Sequence, residues 1–189
     1  MPLVDLRTAL RTRASVDGPI VKVDGFLNHR VDPSVMSDVG RRLAAALAPL
    51  GADVLLTAEA SGIPPAAAAA SELGLPYVYA KKYVGPGTRY TFAREVSSPT
   101  KGTEYRVEVA RHALEPGLRI AVIDDFLAGG RTAVALCEIA EEAGCTVVGT
   151  LFVIEKAFAG GRLLIESRGW TVTSLERITS LDGGIVHLA

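Results

Sequence analysis

Apolar positions recur along this chain with two different periods. From Asp32 to about Leu47, the residues Val35, Val39, Leu43 and Leu47 share one face at helical spacing, and Asp32-Pro33 supplies an N-cap followed by a first-turn proline. Val4 to Arg13 has the same helical spacing, and Pro64 to Leu73, Thr132 to Ala143 and Gly161 to Arg168 predict three further helices. Between them lie short β-branched runs, Ile20 to Val23, Asp53 to Thr57, Tyr77 to Ala80, Arg119 to Ile123, Val147 to Glu155 and Thr171 to Ile178. Strands alternating with helices predict an α/β fold, a mostly parallel twisted sheet covered by helices on both faces. The stretch 81–110 breaks that rhythm. Polar and apolar residues alternate there around Gly85-Pro86-Gly87 and Ser97-Ser98-Pro99, which predicts an exposed β ribbon inserted over 83–108 and placed as a lid. Arg89 and Arg94 on it are candidates to close over a site.

A chain of 189 residues that is 49% hydrophobic suits a single domain, 1–189, with room for a subsidiary lobe. A formal net charge of −1 argues against a nucleic-acid-binding surface. Cys137 and Cys145 form neither a disulfide framework nor a zinc pattern, and with three scattered histidines they fit a reducing cytoplasm. The first fifteen residues lack the apolar core of a secretory signal, and no apolar run reaches a membrane span. About twenty residues precede the first predicted strand, too few for a winged-helix DNA-binding domain.

One stretch carries chemistry. After Ile120-Ala121-Val122-Ile123 come two adjacent carboxylates, Asp124 and Asp125, then Ala128-Gly129-Gly130-Arg131-Thr132 leading into a helix. In open parallel sheets ligands bind beyond the carboxyl ends of strands. Glycines at a helix start let the backbone approach a ligand, successive N–H groups there cradle an anion, and Thr132 adds a hydroxyl. Vicinal hydroxyls donating to the aspartates and a phosphate on the loop describe a sugar phosphate. There is no G-x-x-x-x-G-K-[ST] and no G-x-G-x-x-G after a strand, which excludes a P-loop and a dinucleotide fingerprint. Ser61 and Gly62 sit in a second strand–loop–helix turn and offer donors to another anion. Lys81 and Lys82 end the third strand. Lys156 follows a strand and precedes Phe158. This is either a solvated lysine or a base site in which the ring stacks and the ammonium donates to a carbonyl, favouring a 6-oxo purine over adenine.

The motif "AVIDDFLAGGRTA" resembles the phosphoribosyl-pyrophosphate motif of the type I phosphoribosyltransferases. The segments "VKVDGFLNHRVDP", "EASGIPPA", "YAKK", "VIDDFLA" and "VIEKAFAGGR" follow the order and spacing of that family's bacterial xanthine branch, over roughly the whole chain. The resemblance implies the type I phosphoribosyltransferase fold, with a small base-binding hood built from 1–35 and 155–189. It implies transfer of a phosphoribosyl group to xanthine, Mg2+ as cofactor, and a homodimer. Guanine, hypoxanthine or adenine as the base, or a non-catalytic purine sensor, are the alternatives. It further implies that Asp124 and Asp125 are catalytic and reach a metal, if at all, through water. Ala128, Gly129, Gly130, Arg131, Thr132, Ser61, Gly62 and Lys81 would bind the phosphoribosyl donor, and Val21, Asn28, Lys156 and Phe158 the purine. Where some 6-oxopurine relatives carry an acid, this chain has Ala128, so no general base stands at that position. The adenine and xanthine branches share that alanine. Relatives carry leucine at the position of Val21.

Overall fold

The computed structural model describes residues 4–83, 90–98 and 103–189. Helix α1 (Leu6–Arg13) starts where the Asp5 carboxylate accepts the Thr8 N–H at 2.7 Å, an N-cap contact worth about 1 kcal/mol. A short antiparallel hairpin, β1 (Ser15–Asp17) and β2 (Ile20–Lys22), follows. A five-residue π-helical turn, Asp24–Asn28, leads to α2 (Pro33–Leu47), capped by Asp32 as predicted. Then come β3 (Val54–Ala58), α3 (Ile63–Leu73), β4 (Tyr77–Tyr83), β5 (Thr91–Ser98), β6 (Thr103–Ala110), β7 (Arg119–Leu127), α4 (Arg131–Glu142), β8 (Thr146–Lys156), α5 (Gly161–Glu166), β9 (Val172–Ser180) and β10 (His187–Leu188).

Eight strands form one sheet in the order β10-β9-β8-β7-β3-β4-β6-β5. The five central strands are parallel, with antiparallel strands added at both ends. Helices cover both faces. Val39 and Leu43 of α2, with Ala66 of α3, pack with Leu55 and Ile123 in one apolar cluster, and Leu136 and Ile139 of α4 pack with Leu56 and Val122 in the other. That alternation of successive strand residues between two cores is why the central strands are apolar throughout.

Two expectations are corrected. β7 does not stop at Ile123 but runs to Leu127, because the eleven-residue β8 continues to offer partners, with Asp124 opposite Phe152 and Phe126 opposite Ile154. The two aspartates are therefore strand residues, and consecutive strand side chains point to opposite faces. The ribbon, where described, is not an exposed flap. β6 pairs with β4 from Lys81 opposite Glu108 to Tyr83 opposite Arg106, and Phe92, Val96, Val107 and Val109 are buried in the α4-side core. The alternation read as exposure is a strand with one buried face. Arg89 and the Gly85–Gly87 turn lie outside the described residues.

Candidate active site

The carboxyl ends of β7 and β8 open into a cavity of about 390 Å³, within the range of small-molecule sites. Asp124, Ala128, Gly129, Gly130, Arg131, Thr132, Lys156 and Phe158 all line it, together with Phe126, Tyr105 and Pro19. The predicted donor loop and two of the four predicted purine contacts, Lys156 and Phe158, thus face one space, while Asn28 stands with Asp125 on the other sheet face.

Its geometry follows from local constraints. Gly130 caps α4 at φ 75, a left-handed conformation that glycine adopts without strain. It lies against the turn after β8: a Cβ on Gly161 would fall 2.2 Å from the Ala128 carbonyl oxygen and 2.9 Å from Gly130 N. The two loops therefore touch through glycine backbone, a contact that any side chain there would prevent.

The carboxylates divide as their strand positions require. Asp124 faces the cavity. Its Oδ1 accepts the Asp125 N–H at 2.9 Å, and burial together with the neighbouring Asp125 charge pushes its carboxyl well above the ordinary value, against a smaller opposing pull from Lys82. Asp125 turns to the other face and is buried. Its Oδ1 accepts from Ser61 Oγ at 2.9 Å and its Oδ2 from Asn28 Nδ2 at 3.1 Å. A carboxylate only accepts, so the Asn28 amide nitrogen faces it and the carbonyl oxygen points elsewhere. Gly62 presses into the same corner. A Cβ there would sit 2.1 Å from Thr57 Oγ1 and 2.8 Å from Asp124 Oδ1. Thr57 is fully buried and its hydroxyl has no hydrogen-bond partner among the described residues. Such a group is satisfied when a ligand or water reaches it.

Lys156 Nζ donates to the Pro19 carbonyl at 2.9 Å and lies 5.8 Å from the Phe126 ring centre, and burial lowers its pKa. This contact ties the β1–β2 turn to the cavity rim. Just behind it, buried Glu155 receives a two-pronged contact from Arg162, Nε at 2.9 Å and Nη2 at 2.6 Å, and Arg162 also donates to the Val172 carbonyl at 2.9 Å. The turn carrying Phe158 is thereby pinned at both ends.

Three predicted residues fall elsewhere. Lys81 lines a second cavity on the opposite sheet face with Tyr77, Tyr79 and Glu108. Lys82 is the lysine on the Asp124 side, its ammonium 5.3 Å from the Tyr105 ring centre. Val21 is buried in the core beneath the hairpin, and from that hairpin it is Pro19 that lines the cavity. Arg94 does not reach over the site. It pairs with Glu138 at 3.2 Å and with Glu142, both on α4. The sequence reading singled out the pair Lys81 and Lys82 and chose Lys81, a choice that depends on strand register; it missed Thr57, Tyr105 and Pro19, which carried no local signal. Among the described residues no cluster of three or more His, Cys, Asp or Glu forms a metal cage, and no helix is long and apolar enough to cross a membrane.

Comparison with known proteins bears on this arrangement. The chain is 46% identical over 169 residues to a xanthine phosphoribosyltransferase of Chloroflexus aurantiacus, covering 89% of this chain and 80% of that one. It is 42% identical over 185 residues to the enzyme of that name from Shouchella clausii, covering 96% and 92%. Among solved structures, the adenine phosphoribosyltransferase of Giardia lamblia superimposes with a TM-score of 0.78 at 18% identity, covering 94% of this chain and 99% of that chain. That of Rhodothermus marinus gives 0.72 at 24%, covering 91% and 99%, and both likenesses describe the fold. Residues 38–183 match the phosphoribosyl transferase domain, and the chain belongs to that family.

Proposed function

We propose that the chain transfers the phosphoribosyl group of phosphoribosyl pyrophosphate to xanthine, yielding xanthosine 5'-monophosphate and pyrophosphate in purine salvage. The observation that carries this is one cavity bordered by a carboxylate, an anion-cradling loop and a lysine–phenylalanine pair, in a chain 46% identical to a xanthine phosphoribosyltransferase.

The ribose C1–oxygen bond to pyrophosphate breaks and a C1–nitrogen bond to the purine forms, through a transition state with positive charge on the sugar. Asp124, on the cavity, orients the ribose hydroxyls and faces that charge, and Asp125, buried on the other sheet face and held by Ser61 and Asn28, supports it from behind. Backbone N–H groups of 129–132 and the Thr132 hydroxyl hold the 5-phosphate, with Arg131 beside them. The backbone N–H groups of Ser61 and Gly62 take the pyrophosphate, the Ser61 hydroxyl proton being given to Asp125, and Lys82, on the cavity side, joins them in the role expected of Lys81. Lys156 has only protons to donate, so it accepts a 6-oxo purine and leaves adenine's amino group unmatched. Phe158, more than half exposed at 52%, offers a free ring face for the base. Ala128 supplies no base, so either another group takes the purine's proton or xanthine, a weak acid, enters already deprotonated.

Magnesium fits the donor set. Hard carboxylate oxygens stand beside the sugar site, and among the described residues no all-protein cage surrounds them, as suits an ion held mainly by substrate oxygens and water. Asp124 and Asp125 would hold it through water, and when bound it neutralises charge on the departing pyrophosphate. Asp124, whose charge the free protein disfavours, gains a counter-charge in that complex. The working form is a homodimer in the cytoplasm, and solution mass tests the dimer.

The deciding experiment measures product from labelled donor with xanthine, guanine, hypoxanthine and adenine in parallel. Xanthine is expected to give the highest kcat/KM and adenine the lowest. A preference for adenine overturns the proposal.

A further inference from the structure

Tyr105 belongs to β6, in the ribbon rather than in the sugar-phosphate motif, yet it lines the cavity beside Gly129, Gly130 and Thr132. Its hydroxyl lies 2.8 Å from Thr132 Oγ1. Its place is set by the sheet. Lys82 pairs with Val107 and Val96 with Tyr105, so Lys82 and Tyr105 share the face that looks toward α4, and the Lys82 ammonium stands 5.3 Å from the ring centre. Three segments far apart in sequence, the end of β4, β6 and the β7–α4 loop, thus meet at one phenol.

We propose that Tyr105 is a positioning residue of the phosphate cradle, donating its phenolic proton to Thr132 Oγ1. The inference rests on reading 128–132 as the loop that holds the 5-phosphate. A threonine hydroxyl has one proton and two acceptor lone pairs. A phosphate oxygen only accepts, so Thr132 binds phosphate by giving that single proton. The partner on its other side must then be a donor, and Tyr105 is the hydroxyl in reach. With Tyr105 donating, the Thr132 proton is aimed before the ligand arrives, and each bond in the chain Tyr O–H to Thr O–H to phosphate polarises the next. A cation over the ring face makes the phenol a stronger donor. The ribbon therefore contributes a supporting group to the phosphate site, independent of any closing movement.

Tyr105→Phe removes only the oxygen and keeps the ring that Lys82 contacts. In that variant the Kd and KM for phosphoribosyl pyrophosphate with magnesium are expected to rise about three- to tenfold, the loss of one hydrogen bond, with the KM for xanthine unchanged. Thr132→Val is expected to weaken donor binding more, and adding Tyr105→Phe to it to change nothing further, since the phenol acts only through Thr132. If Thr132→Val leaves donor binding intact, the loop is not the phosphate site and both readings fall. If Thr132→Val weakens it while Tyr105→Phe does not, or if the two effects add, the loop stands and the role of Tyr105 falls. Equal rises in both KM values would mark a general structural part and overturn the proposal as well.

Discussion

Asp124 is a carboxyl group placed where the free protein disfavours its charge. Burial and the adjacent Asp125 raise its pKa well above the ordinary 3.8. A raised folded-state value favours the protonated form, so its contribution to stability is complete below the ordinary carboxylate range and is lost as pH climbs through the raised value. Above the ordinary carboxylate range the group costs the folded state stability, and Asp124→Asn removes that cost at nearly constant shape. The variant is therefore expected to melt higher than the parent at pH 7–8, by about 2–4 °C for each kcal/mol relieved, and the gap to close toward pH 4. Its transfer rate is expected to fall by roughly a hundredfold or more, since charge aimed at the transition state is gone. Melting curves across pH together with turnover check both halves. A variant less stable than the parent at pH 8 would contradict the assigned sign. The acidic pair stood out in the sequence because adjacent carboxylates are unusual at the tip of an apolar strand. Which oxygen meets which partner was not legible. Asp125 finds Asn28 across 97 positions and Ser61 across 64, and no local pattern encodes those meetings.

At the scale of elements, the site is two similar turns on neighbouring parallel strands. Ala128-Gly129-Gly130-Arg131 follows β7 and Ala159-Gly160-Gly161-Arg162 follows β8, and each leads into a helix whose preceding glycine has φ of 75 or 79. Gly161 packs on the Ala128 carbonyl, while Arg162 locks the second turn to Glu155. A displacement of one turn is thus transmitted to the other. Gly161→Ala is expected to force the loops apart, raising the KM for donor and for xanthine together and costing about 1–3 kcal/mol of stability. Steady-state kinetics with each substrate varied, alongside a melting curve, tests this. A rise confined to xanthine would show the loops to be independent. Helices were the most readable elements, because α2 declares itself through Asp32, Pro33 and a single apolar face ending at Leu47. Strand ends were less readable. β7 continues past Ile123 only because β8 lies beside it, and the two strands β1 and β10, of three and two residues, exist only by virtue of their partners. The choice between Lys81 and Lys82 is likewise a matter of register with β6.

Over the whole molecule, the beginning and end of the chain are joined on the β9 side of the sheet. Glu176 of β9 is buried and accepts from Arg7 of α1 at 2.7 Å and from Arg42 of α2 at 2.9 Å. Arg42 also donates to the Leu175 carbonyl at 2.7 Å, and Arg7 to the Ala189 carbonyl at 2.6 Å. The Asp38 carboxylate, on the same helix as Arg42, accepts the first N–H of α1 from Leu6 at 3.1 Å. These contacts clasp α1 and α2 to the C-terminal strands, and they lie apart from the residues lining the cavity. A buried carboxylate that loses one of two partners costs much more than an exposed pair gains. Arg42 is one-third exposed at 34%, which moderates the loss through solvent screening. Arg42→Ala is expected to destabilise the protein by about 1–2 kcal/mol, a fall of roughly 2–8 °C in Tm. At 25 °C the ratio of kcat/KM between xanthine and guanine should stay as in the parent, because the Lys156–Pro19 contact and the Arg162–Glu155 lock hold the proposed base side of the cavity by other means. A changed ratio with an unaltered Tm would mean that the clasp shapes the purine site directly and that stability and specificity share one set of contacts.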